Sequence, residues 1–171
     1  MNMRNLDKRD LEILKILQEE GRAPYSDLAR RLGISEVAIY SRVSRLMREG
    51  VIKGFTAVLD ESKLSLGIGA LIGLKAAPTR YEEILNKLAS FPEILEIHDV
   101  TGDYYAILKV RTRDKESLAQ LLDKIGQLEG VVSTETRLIL RTIKEATRMP
   151  LEILENLARP PRTAKKQEAG K

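Results

Sequence analysis

Residues 28–50 read LARRLGISEVAIYSRVSRLMREG, and this stretch decides the fold of the first third of the chain. Leu28, Ala29 and Leu32 recur at helical spacing with Tyr25, and Gly33 is the residue type that most easily ends a helix in the left-handed conformation. Ser35 then stands where an N-cap is needed, and a second helix runs from about Glu36 to Glu49 until Gly50 stops it. At about 100° per residue, Ile39, Val43 and Leu46 fall on one side, and with Ile34 they face a core. Val37, Tyr40, Ser41, Ser44, Arg45 and Arg48 fall on the outer arc, with Arg42 at the edge of the apolar stripe. Upstream, Asp7 caps a first helix carrying Ile13, Leu14 and Leu17, and Pro24 can open the second. Three short helices with a tight turn before the last form a helix-turn-helix, which presents its final helix to the DNA major groove.

On this reading Val37, Tyr40, Ser41 and Ser44 reach base edges, since Ser bonds several bases and Val touches a thymine methyl. Arg45 and Arg48, further along, suit phosphates, and Arg42 suits a phosphate or a brace for the helix. The full set assigned to DNA contact is Arg22, Ser35, Val37, Tyr40, Ser41, Arg42, Ser44, Arg45 and Arg48. A plain three-helix bundle with a charged exterior has the same spacing. The charge distribution favours DNA only weakly. The chain of 171 residues has net charge +4, with basic excess in residues 1–53 and 159–171 and acidic excess between. A polyanion partner for the head and a solvated helix face both satisfy that pattern.

After residue 53 the rhythm changes. Residues 54–65 read as an extended strand and linker. Leu66, Ile68, Ala70, Ile72 and Leu74 then alternate with Gly67, Gly69, Leu71, Gly73 and Lys75, the period of a strand. Thr79-Arg80-Tyr81-Glu82 has the form of a capping box for a helix anchored by Ile84, Leu85 and Leu88. Ile94 to Val100 and Tyr104 to Thr112 are strands about a Thr101-Gly102-Asp103 turn, Asp114 caps another helix, and Val131 to Arg141 is the last strand. The order is βαββαβ, and Lys87–Leu95 matches Lys124–Val132 in character, as two βαβ halves of a ferredoxin-like sandwich require. The fold class is therefore α+β, a winged helix-turn-helix domain (1–53) followed by a ferredoxin-like domain (66–146). An extension (147–171) holds a further helix opened by Pro150 and ends in a basic, disordered tail. A sandwich with helices on one face leaves the other to be covered, most simply by a second subunit through the strands Leu66–Ala76 and Val131–Arg141.

Many spaced positions agree with one family. Leu6-Asp7-x-x-Asp10, Gly21-Arg22, Leu28-Ala29-x-x-Leu32-Gly33-Ile34-Ser35, Arg42-Val43-x-x-Leu46 and Gly50-Val51-Ile52-Lys53-Gly54-Phe55 together resemble the Lrp/AsnC, or feast/famine, regulators. Val100-Thr101-Gly102-Asp103-Tyr104 is similar to the signature turn of that family's effector domain, so the resemblance spans about residues 6–146. It implies a homodimer built sheet to sheet, often closing into an octamer, and control by an amino acid or similar metabolite. It also implies that the effector lies near Thr101, Gly102, Asp103, Tyr104, Thr134 and Thr136. Gly102 lets the backbone approach a ligand, Asp103 can accept from an ammonium, and the two threonines can donate hydroxyls. The bland alternative is a simple turn and two strand-favouring threonines. The family's usual Gly-Asp-Tyr-Asp ends here in Tyr105, which points to a ligand side chain less basic or more apolar than lysine.

Several functions are disfavoured. The lone His98 has only Asp99 and Asp103 nearby and no further ligand spacing, so neither a metal nor a cofactor beyond a small effector is expected. No phosphate loop, nucleophile elbow or paired-carboxylate pattern supports an enzyme. The absence of cysteine, of a long apolar run and of an apolar leader fits the cytoplasm and no membrane. Scarce Asn and Gln lean towards a thermophilic source. The expected function is a sequence-specific regulator modulated by a metabolite. The competing reading is an effector-independent, DNA-wrapping architectural protein, and an allosteric subunit of a metabolic enzyme is disfavoured by the helix-turn-helix.

Overall fold

A computed structural model describes residues 6–155. The described chain divides into two compact units, one reaching Ala57 and resuming at Ala146, the other spanning Val58–Glu145.

The first unit holds α1 (Lys8–Glu19), α2 (Tyr25–Leu32), α3 (Glu36–Arg48) and a short helix contributed by the C-terminal segment. Asp7 caps α1 reciprocally: its side chain accepts from the Asp10 N–H at 2.9 Å, and the Asp10 carboxylate accepts from the Asp7 N–H at 3.0 Å. Ile13 and Leu17 of α1, Leu28 of α2 and Ile39 and Val43 of α3 make one core. This is the apolar stripe expected from the helical spacing.

Residues 54–60, within the 54–65 stretch expected as an extended strand and linker, have no regular secondary structure. A strand needs a neighbour to complete its ladder, and the one sheet among the described residues does not include this segment. Glu61–Leu64 forms a 3-10 turn.

The second unit has the order β1 (Ile68–Ala76), α4 (Tyr81–Leu88), β2 (Ile94–Asp99), β3 (Ala106–Thr112), α5 (Lys115–Gly126) and β4 (Val131–Leu138). Its antiparallel sheet runs β2-β3-β1-β4, with the two strands that border the first helix not adjacent, as the split βαβ halves predict. Ala70, Ile72, Leu74 and Ala76 of β1 and Ala106, Leu108 and Val110 of β3 pack against Ile84 and Leu88 of α4 and Leu118, Leu121 and Ile125 of α5. Alternate residues Gly69, Leu71, Gly73 and Lys75 therefore face the other side. The expected capping box at Thr79 does not form. Pro78 opens a 3-10 turn over Pro78–Arg80, which moves the N-cap to Arg80, without a side-chain cap bond. Asp114 does cap α5, accepting from the Ser117 N–H at 2.8 Å.

Past β4 the further helix expected to open at Pro150 is present within the described residues as α6 (Glu152–Glu155). This segment belongs to the first unit. Leu151 is buried in a second small core with Leu14 of α1 and Leu46 of α3, joined by Leu6, Val51, Ile52 and Leu154. Burial of such a side chain is worth about 2 kcal/mol. The basic tail read from the sequence lies outside the described residues.

Candidate functional site

The α2–turn–α3 geometry arises from three residues. Gly33 adopts φ 64°, which ends α2 in the left-handed region. The Ile34 N–H still reaches the Ala29 carbonyl at 3.1 Å. Ser35 then starts α3, its hydroxyl accepting from the Ala38 N–H at 3.2 Å. So fixed, α3 buries Ile39, Val43 and Leu46 and turns its opposite face outward. Val37 is 78% exposed and Tyr40 62% exposed. Ser41 and Arg48 are also exposed, and Ser44 is half-buried beside them. The Tyr25 ring of α2 meets Tyr40 edge-on, with centroids 6.3 Å apart. The helical spacing placed Tyr25 with the α2 face and gave no sign of this support for an outward aromatic. Arg22 stands exposed in the turn before α2.

Two arginines read as DNA contacts sit in a different environment. Arg42 Nη1 lies 2.7 Å from Asp7 Oδ2 and 2.7 Å from Asp10 Oδ1. Arg45 Nη2 lies 2.6 Å from Asp10 Oδ2. Asp10 is fully buried, whereas both guanidinium side chains keep about 30% exposure. Burial works against the charged Asp7, but the bonds from Arg42 and the Asp10 N–H hold its carboxyl below the usual carboxylate range. Arg42, read as a phosphate contact or a brace, thus ties α3 to the start of α1. Arg45, assigned to phosphate, shares that brace, because the one buried carboxylate draws both cations. The missed signal was the Asp7-x-x-Asp10 pair itself, which answers Arg42 and Arg45 at helical spacing. Arg48 makes no ion pair among the described residues.

The second candidate lies between β2 and β3. Thr101, Gly102 and Asp103 are exposed, and Gly102 takes φ 111°, a conformation that favours glycine. Tyr104 leaves this turn and lays its ring over Gly73 of β1, where an added Cβ would stand 2.7 Å from ring carbons. The Tyr104 hydroxyl donates to Glu135 and accepts from Arg137 Nη2 at 3.4 Å. The Lys75 ammonium and the Arg137 guanidinium lie 5.6 and 5.5 Å from the ring centroid, within cation–π range. Lys75, Glu135 and Arg137 were not singled out in the sequence.

Thr134 and Thr136 pair with Leu74 and Ile72 of β1, so they belong to the helix-covered face. Glu135 pairs with Gly73, on the face that carries Tyr104. Within one chain the sheet thus separates the two threonines from Tyr104. Tyr105, in the last signature place, anchors the turn: its ring packs on Tyr81 with centroids 5.5 Å apart, and its carbonyl accepts from the Tyr81 hydroxyl at 2.8 Å. Burial and the 2.8 Å bond to Asp99 push the Tyr81 hydroxyl up to about 12. Among the described residues no cluster of three or more His, Asp or Glu could hold a metal, and no helix is long and apolar enough to cross a membrane.

Known proteins place both halves. Residues 6–53 match the family described as winged helix-turn-helix DNA-binding, and residues 69–149 match the Lrp/AsnC ligand binding domain. The HTH-type transcriptional regulator FL11 of Pyrococcus horikoshii is 40% identical, over 86% of this chain and 97% of its own length. The regulatory protein AsnC of Haemophilus influenzae is 38% identical, over 83% of this chain and 99% of its own. Among solved structures, Escherichia coli AsnC superposes with a TM-score of 0.79 at 30% identity, over 84% of this chain and 97% of that one. A transcriptional regulator from Neisseria meningitidis, solved as a complex with L-Met, superposes with a TM-score of 0.82 at 28% identity, over 88% and 99%.

Proposed function

The chain belongs to the Lrp/AsnC family of DNA-binding transcriptional regulators and is no enzyme, and from that premise we propose a homo-oligomer whose DNA affinity is set by an amino acid or related metabolite. The carrying observation is the outward face of α3. Val37, Tyr40, Ser41 and Ser44 stand together on a helix whose start is fixed by Gly33 and Ser35. Its opposite edge is fixed by Asp10. A rigid helix with small polar and aromatic groups outward suits base edges, while Arg48, Arg22 and the exposed parts of Arg42 and Arg45 suit phosphates.

The ligand reading rests on the Thr101–Asp103 turn. Its backbone N–H groups suit a carboxylate, and the Asp103 carboxylate suits an ammonium. The amino acid in the Neisseria meningitidis complex supports this class of ligand. Tyr105, turned towards Tyr81, supplies no charge for a basic side chain. Thr134 and Thr136 lie on the other face, so they would serve such a ligand only from a neighbouring subunit. Assembly through the face of β1 and β4 opposite the helices is supported by Leu71, which stands exposed there.

Ser41→Ala and Arg48→Ala test the DNA assignment. The first should weaken a selected operator by about 1–3 kcal/mol and spare random duplex. The second should weaken both and flatten the salt dependence. Operator binding untouched by both changes would remove α3 as the reading element. Calorimetric titration of the standard amino acids into wild type and Asp103→Ala tests the pocket. Undiminished binding in the variant refutes the site, and no binding by any amino acid to wild type favours the architectural reading.

A further inference from the structure

One row of α1 meets three different partners. Asp10, Leu14 and Gln18 stand four residues apart, so they line one side of the helix. Asp10 holds Arg42 and Arg45 of α3. Leu14 shares a small core with Leu46 of α3 and with Leu151. Gln18 grips the Met149 backbone from both sides: its amide nitrogen donates to the Met149 carbonyl at 3.2 Å, and its amide oxygen accepts from the Met149 N–H at 2.6 Å. On α3, Arg42 and Leu46 are likewise four residues apart. The seam between α1 and α3 is therefore closed twice, by the buried carboxylate of Asp10 and, one turn further along both helices, by the anchor at Leu151.

Leu151 lies outside both matched stretches, residues 6–53 and 69–149, yet it belongs to the unit that carries α3. The main core of that unit is built on Ile13, Leu17, Leu28, Ile39 and Val43, and Leu14 and Leu46 are not part of it. The last turns of α3 are left to the second core, whose buried members are Leu14, Leu46 and Leu151. Those turns carry Arg45 and Arg48. Removing Leu151 would leave a gap beside Leu46, which α1 and α3 could fill only by shifting towards each other.

We propose that Leu151, with the Met149 backbone held by Gln18, positions α3 for DNA binding: it keeps the C-terminal half of α3 seated on α1, so that Arg45 and Arg48 meet phosphates while Val37, Tyr40, Ser41 and Ser44 meet base edges. It rests on the reading of α3 as the DNA-reading helix. Leu151 is buried and acts only through Leu46 and Leu14. A helix that shifts loses several contacts together, because phosphate contacts fix the register in which the base contacts are made.

Fluorescence anisotropy with a duplex selected by the full chain from a random pool tests this. Full-length Leu151→Ala, Leu151→Met, Gln18→Ala and Arg48→Ala are compared with wild type, at a temperature where circular dichroism shows each protein fully folded. Leu151→Ala should bind about tenfold more weakly, as after the loss of one good base contact. Leu151→Met, which refills the gap, should return to within about twofold of wild type. Gln18→Ala, which leaves the core whole, should fall between wild type and Leu151→Ala. A lowered melting temperature for Leu151→Ala with wild-type affinity would overturn the proposal, because the anchor would then only stabilise the unit. If Leu151→Ala fails to fold, Gln18→Ala decides, and wild-type affinity in that variant overturns the proposal. Weakened binding in Arg48→Ala alone would overturn the positioning role and keep α3 as the reading helix, whereas undiminished binding in all four variants would overturn that reading as well.

Discussion

The fully buried carboxylate of Asp10 on α1 accepts a 2.6 Å hydrogen bond from the Arg45 guanidinium on α3. The same carboxylate also holds Arg42 at 2.7 Å and accepts the Asp7 N–H, so one side chain caps the first helix and positions the third. Asp10→Ala removes all three bonds at once. The two arginines can turn to water, but the cap N–H loses its partner, and the expected cost is about 2–4 kcal/mol in urea unfolding. Arg42→Ala, which leaves Asp10 paired with Arg45, should cost less than half as much. A cost below about 1 kcal/mol for Asp10→Ala would show that the brace adds little to the fold.

Gly73 and Tyr104 form a second obligate pair. A methyl at residue 73 would stand 2.7 Å from the ring, so the ring must leave its seat between Lys75 and Arg137. Gly73→Ala is expected to destabilise by roughly 1–3 kcal/mol. In a Tyr104→Ala background the same change should cost less than about 0.5 kcal/mol, because nothing remains to be displaced. Equal costs in the two backgrounds would mean that the ring is not seated on Gly73.

The alkaline titration of the tyrosines should separate them. Tyr81 is raised to about 12 by burial and by its bond to Asp99. Tyr104 is also raised, chiefly by its bond to Glu135. For a group raised above its unfolded value of about 10, the associated stability is complete below about pH 10 and fades as pH climbs through about 12. Absorbance at the phenolate band should therefore show a final step near about pH 12 that Tyr81→Phe abolishes. A wild-type titration complete by about pH 10.5 would contradict the buried environment of Tyr81.

The sequence reading succeeded where periodicity and capping residues act locally. Ile39, Val43 and Leu46 announce the buried side of α3, and the Gly-alternating run from Leu66 announces a strand with one face against helices. It faltered where a partner far along the chain decides the outcome. The Asp10 ion pairs join residues 32 and 35 positions apart, and no helical wheel shows them. Thr134 and Thr136 alternate as the sequence said, but only the β1–β4 register reveals that their face is the helix-covered one. The capping box at Thr79 failed because Pro78 imposed its own turn first. The anchor at Leu151 was illegible because a lone Leu after a proline becomes a core residue only when Leu14 and Leu46 leave a gap for it.

Leu71 tests the assembly. It occupies the centre of β1 on the face opposite the helices, between Gly69 and Gly73, with Arg137 and Lys109 as its register partners on either side. Being 39% exposed, it contributes little to the core of its own subunit. Polar substitution there should thus spare the fold and strike the proposed contact between sheets. Wild type is expected to be dimeric or larger by light scattering at micromolar concentration, and Leu71→Asp to shift towards the monomer, since the proposed contact between sheets would have to bury a carboxylate in place of an apolar side chain. The variant's far-UV circular dichroism should be unchanged. Operator binding should weaken beyond what α3 alone accounts for, because two half-sites about one helical turn apart are no longer engaged together. A wild-type monomer, or a Leu71→Asp protein with undiminished mass, would move the subunit contact away from this face.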